Sequence, residues 1–167
     1  MKKMILAVIA VMGFGFANAQ DGHFKVGVQA GLPIGDASDV TSVNLGADVA
    51  YLWKVTDKFS AGATTGYSTY LAKEYTYTFF GMSTKIKGDD ISYIPVAATG
   101  QYALATNVFV GLDLGYAIAV SDGGDGGFLY QPKVGYQNDK IEIYAGYKGI
   151  SDNVTVSSVN LGFNYKF

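Results

Sequence analysis

The sequence contains no cysteine and no arginine, and it has one histidine and three prolines among its 167 residues. Without cysteine there are no disulfides, so a protein outside the cytoplasm must be held together by backbone pairing and packing. A lone histidine and the lack of thiolates argue against a soft-metal site. The twelve lysines are scattered and form no basic patch of the kind that nucleic-acid binding needs. We therefore expect no cofactor and no nucleic-acid partner.

Long apolar runs are also scarce, and the one that exists lies at the N-terminus. Two lysines precede the run 4–16, and an Ala-x-Ala cleavage pattern at residues 17–19 follows it. The run is shorter than the roughly 20 residues that a transmembrane helix needs. We expect residues 1–19 to be a removed signal peptide and residues 20–167 to form one domain. Because no later run reaches that length, a membrane location would require a closed β-barrel.

What the chain has in abundance is alternation between apolar residues and small or polar ones. At the C-terminus, every second residue from Val159 to Phe167 is apolar or aromatic. A period of two places these side chains on one face of a β-strand. Pro95, in the fourth alternating segment, indicates an edge position or a bulge. The alternation predicts eight strands in all: residues 24–32, 43–54, 59–68, 94–102, 108–120, 128–136, 141–148 and 155–167.

The connections between these strands alternate in length along the chain. The short ones are residues 56–58, 105–107 and 138–140. The long ones are residues 33–41, 71–90, 121–127 and 150–154. Bacterial outer-membrane barrels have short periplasmic turns and longer outer loops. The pattern therefore predicts an all-β fold, an eight-stranded antiparallel up-and-down transmembrane β-barrel with both termini on the side of the short turns.

The closing segment resembles the C-terminal targeting signal of outer-membrane β-barrels, which ends on Phe and has aromatic or apolar residues at alternate positions upstream. In size, leader and strand pattern, residues 20–167 resemble the small outer-membrane β-barrel family, the OmpA/OmpX-type or porin-family proteins. The resemblance implies the outer membrane of a Gram-negative bacterium, periplasmic termini and contact with outer-membrane lipid. It also implies that the barrel-assembly machinery recognises the C-terminal strand. Unlike OmpA itself, the chain is expected to carry no periplasmic peptidoglycan-binding domain after Phe167.

The rival interpretation is a soluble eight-stranded barrel such as a lipocalin, which buries its apolar face and shows a charged exterior. Here the second face of the predicted strands consists mostly of glycine, alanine and small polar residues. Glycine weakens a strand and gains nothing on an exposed surface. Inside a narrow barrel it makes room for larger neighbours, because an eight-stranded interior just holds its own side chains. We therefore predict that the polar face lines the lumen and the apolar face meets lipid.

Charged residues on the polar face nearly balance, and they predict an internal network that plugs the barrel. Lone charges in a narrow interior are costly unless they are paired or hydrated. The predicted members of the network are Asp48, Asp113, Lys133, Glu142 and Lys148. Lys25 and Lys54 are further candidates. Solvation at the rim is the alternative for these two lysines and for Lys148.

Aromatic residues form two further groups. Those near short turns or chain ends predict a girdle at the periplasmic interface, although Tyr and Phe favour strands in any case. The girdle residues are Tyr51, Trp53, Phe59, Tyr102, Tyr136, Tyr165 and Phe167. The connection 71–90 predicts a β-hairpin beyond the membrane, either a contact surface for a cell-surface protein or a lid over the barrel. Its apolar residues are Tyr75, Tyr77, Phe79, Phe80 and Met82.

Three classes of function fit this pattern. The first is a non-enzymatic barrel with a structural or cell-surface interaction role, in adhesion or envelope contacts. The second is a narrow porin-like channel for small solutes. The third, an enzyme, is disfavoured because enzymatic outer-membrane barrels need a histidine near the outer rim, whereas His23 is predicted at the periplasmic end. The segment 122–125 could hold a weak Ca²⁺ through its carboxylates, but a solvated loop is the favoured interpretation. We predict the first class, with no metal.

Overall fold

The computed structural model describes residues 22–79, 82–121, 126–152 and 155–167. The predicted signal peptide and the segment 122–125 lie outside these residues. The elements are β1 Gly22–Ile34, α1 Ala37–Val40, β2 Thr41–Lys54, β3 Phe59–Ala72, β4 Glu74–Phe79, β5 Met82–Lys87, β6 Ile91–Ala105, β7 Val108–Ala119, β8 Gly127–Gln137, β9 Ile141–Ser151 and β10 Thr155–Lys166. Within the described ranges, no helix is long and apolar enough to cross a membrane.

Eight of these strands close into one barrel. Each pairs antiparallel with its neighbours in the order β1, β2, β3, β6, β7, β8, β9, β10, and β10 returns to β1. The strands β4 and β5 form a separate two-stranded sheet. The prediction of an all-β, eight-stranded antiparallel up-and-down barrel is therefore confirmed.

The two ends of the barrel differ. Three short turns connect strands at one end, which we call the turn end. Side chains stabilise two of these turns. The backbone amide of Phe59 donates to Thr56 Oγ1 over 3.0 Å, and the backbone amide of Ile141 donates to Asn138 Oδ1 over 2.9 Å. The C-terminal Phe167 is also at the turn end, where its amide donates to the carbonyl of Phe24 over 2.9 Å. The longer connections lie at the opposite end, which we call the loop end.

Several strands extend further toward the loop end than the alternation predicts. β1 runs to Ile34 and β9 runs to Ser151, although both residues were expected in loops. Pro33 pairs with Ser158 of β10, while the pairing of β1 with β2 already ends at Gly31. A residue without an amide hydrogen is tolerated where its strand lacks a partner on one side. The loop-end connections are therefore shorter than predicted.

Pro95 is also placed differently from the prediction. It lies in a central strand, β6, with no register shift at its position, so the expected edge or bulge is wrong. On the β3 side the ladder runs from Thr65 opposite Val96 directly to Ser68 opposite Tyr93. The ladder thus skips the proline, and Thr65 Oγ1 donates to the Pro95 carbonyl over 2.8 Å. The interruption of the β3–β6 ladder therefore accommodates a residue that has no amide hydrogen to donate.

The two faces of the barrel wall have opposite character. Most large apolar side chains point outward and are exposed, and Leu161, for example, is 68% exposed. Lys54, at the last position of β2, is the only exposed charged side chain on the eight barrel strands. The small and polar residues point into the lumen, where most are buried. The predicted assignment of the polar face to the interior and the apolar face to the exterior is confirmed.

Candidate functional site

The interior near the turn end is organised around Glu142. Lys25 Nζ lies 2.5 Å from Glu142 Oε1, and Asn164 Nδ2 donates to Oε2 over 3.1 Å. Gln101 Nε2 donates to Glu142 Oε1 over 3.2 Å, while its own Oε1 accepts from Lys25 Nζ. Lys166 Nζ is 3.8 Å from the same carboxylate. Lys25 is 5% exposed and Glu142 is 1% exposed, so this turn-end cluster is a buried ion pair with supporting hydrogen bonds.

A second group, the middle cluster, lies further into the barrel. Lys133 Nζ forms an ion pair with Asp113 Oδ2 at 2.7 Å. Gln29 Nε2 donates to Asp48 Oδ1 over 3.0 Å, and Gln131 Nε2 donates to Gln29 Oε1 over 3.1 Å. These side chains lie on strands β1, β2, β7 and β8. Asn160 of β10 also donates to Gln29 Oε1, so five strands contribute to the cluster. The middle cluster therefore connects opposite walls of the barrel.

Lys148 is the most buried lysine of the lumen, with 2% of its surface exposed. Its Nζ donates to Ser68 Oγ over 3.3 Å, and Asn44 Nδ2 donates to the same hydroxyl over 2.9 Å. Asp48 and Asp113 interact with the ammonium electrostatically. Lys148 is therefore a buried interior charge, and the alternative that it is a solvated rim residue is wrong.

On the loop side of Lys148 the interior becomes apolar. The buried members of this apolar layer are Tyr70, Tyr93, Ala97, Ala117, Leu129 and Ile150. The rings of Tyr70 and Tyr93 meet edge to face, with centroids 6.3 Å apart. The Tyr70 hydroxyl lies 3.1 Å from Ser158 Oγ, so its polar end is satisfied. The layer closes the lumen between the charged clusters and the loop end.

The apolar layer was missed at the level of sequence, although a signal was present. Tyr70 continues the lumen face of β3 two residues after Ser68, and Ile150 continues that of β9 two residues after Lys148. The predicted strands ended before both residues. Extending the period of two by one step in each strand would have found them.

The five predicted lumen residues are all inside the barrel, in more than one group. Glu142 belongs to the turn-end cluster, Asp48, Asp113 and Lys133 belong to the middle cluster, and Lys148 lies beyond it. Lys25, the first further candidate, is the ion-pair partner of Glu142. Lys54, the second, is not in the lumen. It is an exposed rim residue whose Nζ lies 3.4 Å from Asp57.

The aromatic residues predicted for the girdle lie at the turn end of the outer wall. Phe24 packs edge to face on Tyr51 with centroids 4.8 Å apart, and Tyr165 packs in the same way on Phe167 at 4.9 Å. The remaining predicted members follow around the same end, and they are Trp53, Phe59, Tyr102 and Tyr136. Phe59 is directly opposite Tyr102 in the ladder. The rings thus form an interrupted belt around the turn end.

A smaller aromatic group occupies the outer wall at the loop end. The rings of Phe128 and Tyr130 stack with centroids 6.3 Å apart, and Tyr130 lies 5.8 Å from Tyr147. The Tyr147 hydroxyl is 2.9 Å from Ser157 Oγ. Both ends of the barrel therefore carry aromatic side chains on the outside, with an aliphatic zone between them.

The longest connection continues as paired β structure. Glu74 is opposite Lys87 and Phe79 is opposite Met82, with four further pairs between them. The predicted hairpin is confirmed at the level of the backbone. Its predicted contact residues Tyr75, Tyr77, Phe79 and Met82 lie on the two strands, whereas Phe80 falls outside the described residues. The choice between a contact surface and a lid remains a prediction.

The base of the hairpin is fastened to the connection that contains α1. The Lys73 amide donates to the carbonyl of Val40 over 2.9 Å, and its Nζ donates to the carbonyl of Ser38 over 2.5 Å. Asp90 Oδ1 accepts the amide of Ala72 over 2.8 Å. These bonds fix the point from which the hairpin leaves the barrel.

The turn end opens into a broad depression of about 1070 Å³. His23, Lys54 and Lys166 are among the residues that line it. His23 is therefore at the turn end, as the sequence predicts. Among the residues that the structure describes, no three His, Cys, Asp or Glu side chains are grouped so that they could hold a metal ion.

No family model matches the sequence, and no curated protein matches it either. Solved structures do match. The outer-membrane protein Ail of Yersinia pestis in a phospholipid bilayer nanodisc has a TM-score of 0.58 at 14% identity, with 88% of this chain and 100% of that chain covered. A de novo designed transmembrane β-barrel has a TM-score of 0.56 at 12% identity, with 89% and 98% covered. Ail in complex with the heparin analogue sucrose octasulfate has a TM-score of 0.51 at 16% identity, with 89% and 100% covered. The chain has the fold of small transmembrane β-barrels.

Proposed function

We propose that the barrel spans the outer membrane of a Gram-negative bacterium. The main support is the composition of the outer wall. Its exposed side chains are leucine, valine, isoleucine and aromatic residues, with one exposed charge at a strand end. Charged side chains on a lipid-facing wall destabilise transmembrane barrels, so this composition suits lipid. The eight barrel strands are 11 to 15 residues long, and about 9–11 residues suffice to cross the hydrocarbon core.

In the proposed orientation the turn end faces the periplasm and the loop end faces outward. Short turns on the periplasmic side are the rule for bacterial barrels, and aromatic belts favour the two interfaces. Phe167 and β10 then face the periplasm. This placement supports recognition of the C-terminal strand by the barrel-assembly machinery before insertion.

The proposed role is structural or interactive, without catalysis. The filled interior carries this proposal, because the turn-end cluster, the middle cluster and the apolar layer lie in series along the lumen. Side chains that fill the lumen leave the loop end as the functional surface, and the hairpin is its largest described element. The name of Ail denotes attachment and invasion, and for the present chain adhesion is carried over from that protein as a proposal.

A narrow channel is the second candidate. The polar, charge-paired interior and the depression at the turn end favour it. The apolar layer argues against it, because ions would have to pass between buried side chains that are mostly apolar.

The decisive experiment replaces the hairpin residues 75–82 with a Gly/Ser turn. Bacteria producing each form are tested for adherence to an epithelial cell layer and to cells of their own strain. Heat-modifiable migration of the variant in gels serves as the control for barrel assembly. We expect adherence to fall while assembly is retained. Unchanged adherence with an intact barrel would remove the interaction role, and recovery of the wild-type protein as soluble periplasmic material would remove the membrane location.

A further inference from the structure

The pairing of β1 with β10, which we call the seam, differs from every other pairing of the barrel wall. All other neighbouring strands follow one another along the chain, directly or through the hairpin. In such hairpins the turn and the loop length fix the register. No turn joins β1 to β10, although the register of closure sets the shear of a barrel. The register of the seam must therefore come from the two strands themselves.

The alternation of apolar and polar residues excludes only some of the wrong registers at the seam. A slip by one residue would turn the apolar side chains of one strand into the lumen. A slip by two residues keeps both faces as they are, so the alternation does not distinguish it from the observed register. Glycine makes a strand more prone to slippage, and the lumen face of β1 contains Gly27 and Gly31. A further feature is needed to exclude slips by two.

Two asparagines of β10 provide this feature. In the observed register Asn164 lies directly opposite Gly27, and Asn160 lies directly opposite Gly31. A Cβ added at Gly27 would overlap Asn164 Oδ1, and a Cβ added at Gly31 would overlap Asn160 Oδ1. Each amide oxygen therefore occupies the space that a β1 side chain would take, and it rests against the backbone of a glycine.

The amide nitrogens of the two asparagines point into the interior network. Asn164 Nδ2 donates to Glu142 Oε2 over 3.1 Å, and Asn160 Nδ2 donates to Gln29 Oε1 over 3.3 Å. Both Oδ1 atoms are buried and accept no hydrogen bond from an N–H or O–H of the described residues. They face the Cα–H groups of the glycines, and Cα–H contacts to carbonyl oxygens recur between adjacent strands. Each asparagine thus depends on a glycine opposite to it.

A slip by two residues would remove both glycines from the asparagines. In one direction the two asparagines would lie opposite Lys25 and Gln29. In the other direction they would lie opposite Gln29 and Pro33. Both slips keep the polar face inward, but they set a side chain against each asparagine where the observed register offers open space.

We propose that Asn160 and Asn164, each fitted against a glycine of β1, select the register in which β10 closes the barrel. The two contacts distinguish the observed register from the registers two residues to either side. They form only when the first and last strands meet, so they act at the closing step of folding. The inference holds whether or not the loop end mediates adhesion, and whether or not the lumen conducts.

Paired cysteines on the outer wall can report the register, because the chain has no cysteine of its own. Val28 lies opposite Phe163, and Leu161 and Tyr165 lie two residues to either side. Val28→Cys with Phe163→Cys reports the observed register, and Val28→Cys with Leu161→Cys or Tyr165→Cys reports the two slips. Each protein is refolded in lipid vesicles and oxidised. A disulfide requires Cα atoms within about 7 Å, and its yield is measured on gels after unfolding.

The test variant is Asn160→Ala/Asn164→Ala in each of these cysteine backgrounds. We expect the disulfide of the observed register to decrease and that of at least one slipped register to rise several-fold. Asn44→Ala/Gln131→Ala is the matched control, because it removes two buried amides that lie on β2 and β8. The control should retain the wild-type pattern. An unchanged pattern in the test variant, or the same slipped disulfides in the control, would overturn the proposal.

A second experiment needs only single substitutions and their combination, so it stands if the double-alanine variant does not refold. Gly27→Ala should lower the urea midpoint, and it should lower it less when Asn164→Ala is present, because the new methyl group then takes the space of the amide. Gly66→Ala is the control, since its Cβ would overlap the backbone carbonyl oxygen of Ala47. Its loss should be the same with and without Asn164→Ala. A loss at Gly27 that Asn164→Ala does not reduce would refute the contact and the proposal with it.

Discussion

Lys25 and Glu142 form an ion pair inside the barrel although they are 117 residues apart in the sequence. The pair joins β1 to β9, which are not neighbours because β10 lies between them. It therefore bridges the seam at which the first and last strands close the barrel. A contact of this kind forms only when the barrel is complete, so it links the interior network to closure.

Breaking this ion pair should destabilise the barrel strongly. Lys25→Met leaves the Glu142 carboxylate buried without its main partner, and loss of one member of a buried pair costs about 3–5 kcal/mol. We expect Lys25→Met/Glu142→Leu to cost less than the sum of the single variants. Urea unfolding in lipid vesicles measures all three. Lys54→Met, which removes the rim pair with Asp57, is the control and should change little. Additive losses would contradict a direct interaction.

The outer wall predicts a depth-dependent penalty for charge. Leu112 is outward-facing and lies near the middle of β7. Leu112→Arg should cost about 2–4 kcal/mol if this position is at the bilayer midplane. On the exposed surface of a soluble protein the same change would stay within about 0.5 kcal/mol. Unfolding midpoints in vesicles decide between the two, and a change of the smaller size would refute the lipid-facing assignment.

Two glycines on the lumen face of β7 should respond differently to the same substitution. A Cβ at Gly115 would overlap the carbonyl oxygen of Val96 and lie 2.7 Å from Ala97 Cβ, whereas Gly111 has more room. Overpacking of this kind costs about 1–3 kcal/mol. We expect Gly115→Ala to lower the urea midpoint clearly more than Gly111→Ala. Equal effects would show that the two strands separate easily at Gly115.

The alternation of apolar and polar residues was sufficient to predict the barrel, because a period of two defines both the strand and its faces. Alternation carries less information about where strands end. Tyr70 and Ile150 obey the period, but the predicted strands ended at Ser68 and Lys148. Pairings such as Lys25 with Glu142 depend on the register and curvature of three strands, and no local pattern contains them. Pro95 was misjudged because an interrupted ladder leaves no mark in the sequence.

The filled lumen predicts that the wild-type barrel does not conduct. An eight-stranded barrel is just wide enough for its own side chains, and here they include two charged clusters and the apolar layer. In planar bilayers we expect no stable openings, with a larger porin reconstituted in the same way as positive control. Stable, ion-selective openings that change in Glu142→Gln or Lys133→Met would favour the channel instead.

Substitution of Phe167 distinguishes a role in recognition during assembly from a role in the stability of the finished barrel. Its side chain is 74% exposed and contacts the ring of Tyr165, so a serine there removes little packing from the interior. Phe128, which is 52% exposed at the loop end, is a comparable aromatic far from the C-terminus. If the assembly machinery reads the C-terminal strand, Phe167→Ser should reduce the amount of protein in the outer-membrane fraction of cells, whereas Phe128→Ser should not. Phe167→Ser should refold in vesicles with a urea midpoint no lower than that of Phe128→Ser, because the smaller part of the Phe167 side chain is buried. Equal yields of the two variants in cells would show that Phe167 contributes only as one more ring of the aromatic belt.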